Sequence, residues 1–201
     1  MTKRLPWIVY GAAALLAAAA LAFGASAEWS VERDLLFIRG TAWGALVMLG
    51  LSLSATPIGK VLARLRRDAN AAVTEARRAL GIAAAALATL HAGLALVTWL
   101  AETWPLALEL SWLRSGVLAW AILAALWITS YPKVVAKVGN LWKPLHRLAY
   151  VAFVLVLHHA LLSPLAPRGW VLSAGVAVAV VGLLRLVRRR PRGRREPAGG
   201  L

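Results

Sequence analysis

The chain has no cysteine, and only two of its 201 residues are methionine, Met1 and Met48. The first absence excludes iron–sulfur clusters, thiolate-ligated haem and covalent haem attachment through a C-x-x-C-H motif. The second makes thioether ligation a poor reading. No G-x-G-x-x-G follows a strand-like segment, so the chain has no evident dinucleotide-binding domain of its own. Acidic residues are also scarce, eight against 23 Lys and Arg, for a formal net charge of +15.

What is plentiful is apolar. Hydrophobic residues make up 61% of the chain and mean hydropathy is +0.71, well above the roughly 45–50% apolar share of a soluble domain. Leu and Ala run in stretches long enough to cross a bilayer core about 30 Å thick. In lipid each such stretch must satisfy its own backbone hydrogen bonds, which makes it a helix. The sequence therefore predicts an all-α polytopic membrane bundle of about six transmembrane helices, at 7–27, 36–55, 79–100, 112–130, 146–163 and 169–187. Residues 1–187 read as one membrane domain and 188–201 as a basic, disordered tail, with a basic amphipathic stretch from Lys60 to Arg78 between spans two and three.

The cations then set the topology, because Lys and Arg concentrate in cytoplasmic loops. Of the 23, all but Arg33, Arg39, Arg114 and Arg168 fall on one side, and Glu28, Glu32, Asp34, Glu102 and Glu109 fall on the other. Both termini are expected in the cytoplasm. A +15 chain invites a nucleic-acid reading, but cations at membrane edges meet anionic lipid, worth about 1 kcal/mol each, and lipid is the expected partner. Lys3, Arg4, an apolar run from Ile8 to Phe23 and Ala25-Ser26-Ala27 before Glu28 are patterned like a signal peptide. The length of the run favours a retained first helix.

Three smaller features have structural readings. Gly40-x-x-x-Gly44 predicts close helix packing. Trp7, Trp29, Trp104, Trp112, Trp142 and Trp170 sit near span ends as interfacial anchors. Thr56-Pro57 is expected to end span two.

Histidine is the residue type that carries chemistry here. His91 lies in span three, and His146, His158 and His159 lie in span five. A lone intramembrane histidine is more often a hydrogen-bonding residue than a ligand. His91, however, lies roughly 18 Å into its span and His159 about 20 Å into its own, counted from the same side. Two imidazoles at one depth on two helices can supply both axial ligands of a haem. His146 lies near the cytoplasmic surface. Opposite it is Arg77, fourteen residues before His91 and within about 40° of the same helix face. There a haem near the cytoplasmic side could take His146, with Arg77 either pairing with a propionate or lying across from the imidazole.

Thr56-Pro57, Arg77-Arg78-x-Leu80-Gly81, His91, Thr129-Ser130 and Trp142-x-x-Leu145-His146-x-Leu148-x-Tyr150, with His159 thirteen residues beyond His146, form a recognisable set. Over about residues 56–163 it resembles the ferric reductase-like transmembrane domain family. The resemblance implies a bacterial inner-membrane protein with one or two haem b groups, the iron ligands being His91, His146 and His159, with Arg77 as a further cofactor contact. It implies electrons drawn from the quinone pool, with FMN assisting at the cytoplasmic face. They would pass to a periplasmic molybdopterin reductase subunit that repairs methionine sulfoxide. The chain would then be an electron-transfer subunit with no catalytic residue of its own.

Two departures from the family pattern stand out. The chain reads His158-His159-Ala160-Leu161 where aromatics often follow the last histidine, so His158 is an alternative to His159, and Tyr131-Pro132-Lys133 replaces the usual residues of the fourth loop. Two other functions compete with the subunit reading: a stand-alone ferric-chelate reductase, and a non-redox transporter or anchor whose histidines serve packing or proton relay.

Overall fold

The computed structural model describes residues 11, 31–62, 69–103, 105 and 108–187. The predicted span at 7–27, apart from residue 11, and the basic tail lie outside the described residues. So do Trp7, Trp29 and Trp104. The rest is helical. In chain order the elements are α1 (Val31–Leu62), α2 (Ala69–Thr98), α3 (Ser111–Ile128), α4 (Pro132–Val138), a single 3-10 turn (Gly139–Leu141), α5 (Trp142–Leu162) and α6 (Arg168–Val187). Among the described residues, four segments are long and apolar enough to cross a membrane: Asp34–Gly59, Glu75–Thr98, Ser111–Ile128 and Pro132–Leu162. The apolar part of α6, Arg168–Leu183, is shorter.

Leucines of α1 fill the centre of the bundle. Leu46, Leu49 and Leu53 pack with Ala84 and Ala85 of α2, Leu123 of α3, and Ala152 and Phe153 of α5. The outward faces are no less apolar: Leu36, Val97, Val154 and Val176 are each more than half exposed. Such a surface would be a liability in water and is ordinary in lipid. Four threonine hydroxyls are satisfied locally, Thr41, Thr89, Thr98 and Thr129 each donating to the carbonyl four residues earlier.

Close approach of α1 and α2 rests on small residues. A β-carbon at Gly44 would lie 3.0 Å from Leu87, and one at Gly59 2.7 Å from Val73. The packing expected of the Gly40–Gly44 pair is thus realised only at Gly44, since Gly40 faces open space. The expectation that Thr56-Pro57 closes the second span is also overturned, because α1 runs on to Leu62 with Pro57 inside it. Proline removes one intrahelical hydrogen bond. Membrane helices tolerate that loss, and the extra turn brings Gly59 onto Val73.

Two further differences concern the fourth loop and what precedes α2. The helix of span five begins at Trp142, four residues before His146, and α4 and the 3-10 turn occupy the remainder of the loop. Gly139 joins them with φ +56° and ψ −126°, a conformation open to glycine alone. Ahead of α2's apolar run the helix starts at Ala69, so Arg77 and Arg78 are helical residues on the same element as His91.

Candidate functional site

The four long helices meet at two levels. Helices α2 and α5, which carry the histidines, each pack on α1 and α3 rather than closely on one another. They therefore face each other across the bundle, with α1 and α3 as side walls.

At the first level the rings of His91 and His159 stand 6.2 Å apart, centroid to centroid, at an interplanar angle of 75°. Each is anchored on a side wall. His91 Nδ1–H donates to the carbonyl of Ile38 on α1 at 3.0 Å, and His159 Nδ1–H donates to the carbonyl of Trp112 on α3 at 2.8 Å. A carbonyl can only accept, so both protons sit on Nδ1 and both Nε2 lone pairs are left free. That is the state of a metal-ligating histidine. The Trp112 indole lies 5.5 Å from the His159 ring.

Adjacent His158 is turned away and exposed. Its Nδ1 lies 2.9 Å from Ser115 Oγ. Since Ser115 donates its one hydroxyl proton to the Trp112 carbonyl, His158 is the donor in that contact. The structure thus brings His159, not His158, to His91.

The second level lies thirteen residues along α5 and fourteen along α2, about 20 Å away by helical rise. Here Arg77 is within electrostatic range of His146. Arg77 donates from Nη1 to Thr56 Oγ1 of α1 at 3.1 Å, and its carbonyl accepts from Ser52 Oγ. The His146 ring is covered by Trp142 at 4.2 Å, whose indole N–H donates to the carbonyl of Thr129, the residue that follows α3. His146 Nε2 lies 3.5 Å from Thr129 Oγ1, a marginal contact that does not fix the ring. Arg78 reaches across to the Ser130 carbonyl and stays exposed.

Sequence reading missed the two tryptophans that cover the imidazoles. Trp112 and Trp142 do sit near span ends, but they also pack on His159 and His146. Their offsets within helical blocks were visible; which ring they would meet was not. Ser115 and Gly116, small residues on a helix with no histidine, gave no signal at all.

Fold and site together define a multi-pass helical membrane protein with paired ligand-ready imidazoles between its helices. Residues 40–157, more than half of the chain, match the family model described as ferric reductase like transmembrane component. The chain belongs to that family, and membership makes it a membrane electron-transfer protein. The match ends just before the His158–His159 pair.

Proposed function

We propose that the chain is a haem b membrane subunit of the MsrQ (YedZ) kind, passing electrons from the quinone pool to a periplasmic, MsrP-like molybdopterin reductase of methionine sulfoxide. The observation that supports this most is the His91–His159 pair. Two imidazoles that would hold one metal between them need a close approach and an unprotonated nitrogen on each ring. The observed 6.2 Å fits, as do the two free Nε2 atoms.

His91 and His159 would hold a haem there, and it would supply one-electron storage. The chain does the rest. Ile38 and Trp112 carbonyls hold the tautomers, α2 and α5 set the separation, and the leucine core keeps water out. At the other level His146 offers a ligand and Arg77 a cation for a propionate or a flavin phosphate. In this reading the Arg77 level is cytoplasmic, and FMN, where used, binds on that side.

A reduced-minus-oxidised spectrum of the detergent-purified protein, with pyridine haemochrome quantification, tests it. Sharp low-spin b-type bands are expected, and the stoichiometry gives the number of haems. A folded, colourless protein from a haem-replete host would move the assignment to the transporter or anchor class. Reoxidation on adding a molybdopterin partner, and not on adding a ferric chelate, separates the subunit from a stand-alone reductase.

A further inference from the structure

We infer that α3, which carries no histidine, selects which of the two adjacent histidines on α5 serves as the ligand opposite His91. The inference rests on the haem reading above. Successive residues on a helix point about 100° apart, so only one of His158 and His159 can face His91, and a small rotation of α5 would exchange them. The contacts with α3 oppose that exchange from both sides.

On one side Ser115, itself 5% exposed, accepts from His158 Nδ1 at 2.9 Å. Its own proton goes to the Trp112 carbonyl. On the other side His159 lies flush on the backbone of α3 at Gly116. A β-carbon there would stand 2.7 Å from His159 Nδ1, 2.9 Å from Cε1 and 3.2 Å from Cγ. The first two distances are shorter than real β-carbon contacts and the third is tight. The ring cannot simply swing clear, because Nδ1 is bonded to the Trp112 carbonyl one turn away. A methyl group at 116 must either break that bond or push α5 outward, and both take Nε2 off its line to His91. Gly116 and Ser115 are positioning residues, each acting through the histidine it meets.

The test compares four single variants of the full-length protein, His158→Ala, His159→Ala, Ser115→Ala and Gly116→Ala, by haem content, visible spin-state bands and low-temperature EPR. Monodisperse elution serves as the folding control. His159→Ala should lose the haem shared with His91, and His158→Ala should retain it with unchanged spectra. Ser115→Ala should split the low-spin EPR signal into two populations. Gly116→Ala should shift that signal or convert it to high spin, while any haem at the His146 level keeps its spectrum.

A coloured parent whose Gly116→Ala and Ser115→Ala variants both have unaltered EPR would overturn this inference alone. So would a His158→Ala variant as depleted as His159→Ala. A colourless parent would overturn the haem reading together with it. Should Gly116→Ala fail to accumulate, Ser115→Ala decides, and an unaltered EPR signal there would overturn the inference.

Discussion

An imidazole binds a metal through the nitrogen that carries no proton, so the partner of the other nitrogen decides whether a histidine is ready. His91 and His159 meet that condition through backbone carbonyls, which no side-chain substitution nearby removes. The His146 Nε2 contact to the Thr129 hydroxyl is looser, at 3.5 Å. His91→Ala and His159→Ala are therefore expected to lose one and the same haem, and His146→Ala a different one, in pyridine haemochrome counts. Equal loss of all haem from both His91→Ala and His146→Ala would sink the two-level arrangement. Arg77 supplies the second residue-scale prediction. A nearby cation favours the reduced, less positive iron, so Arg77→Gln should lower the midpoint potential of the haem at His146. After screening the effect is roughly 1–2 kcal/mol, or about 40–90 mV for one electron. Redox titration that left this potential unchanged would remove Arg77 from the site. The histidines and Arg77 were legible from spacing because depth along a helix is arithmetic. Trp112, Trp142, Ser115 and Gly116 were not, because their parts depend on contacts between helices.

Among the elements, α1 departs most from its pattern. Proline marks a helix end in most sequences, yet α1 passes Pro57 and gains an interhelical contact at Gly59. Gly59→Ala should accordingly cost about 1–3 kcal/mol by overpacking, read as a lower midpoint in thermal or SDS unfolding. Val73→Ala in the same chain should recover part of it, a coupling that a double-mutant cycle would expose. Purely additive effects would mean that the two helices do not meet there. Hydropathy located five of the helices because length and apolar content suffice for that. It missed α4 and the early start of α5, since Lys133, Lys137 and Lys143 make that stretch read as a loop.

At the scale of the whole molecule the lack of cysteine becomes a tool, since any introduced cysteine is unique. A membrane-impermeant maleimide applied to intact spheroplasts should label Glu109→Cys and spare Lys137→Cys until the membrane is opened. The reverse pattern would invert the topology drawn from the cations. The two levels have one more consequence. About 20 Å of helix separates His146 from His159, roughly two-thirds of a hydrocarbon core about 30 Å thick. Charge moved between them crosses that share of the transmembrane voltage, about 1.5 kcal/mol per 100 mV. With the cytoplasm negative, an electron travelling outward runs downhill. On the proposed orientation, with the Arg77 level cytoplasmic, transfer between the two levels would thus be electrogenic and favoured by the membrane voltage.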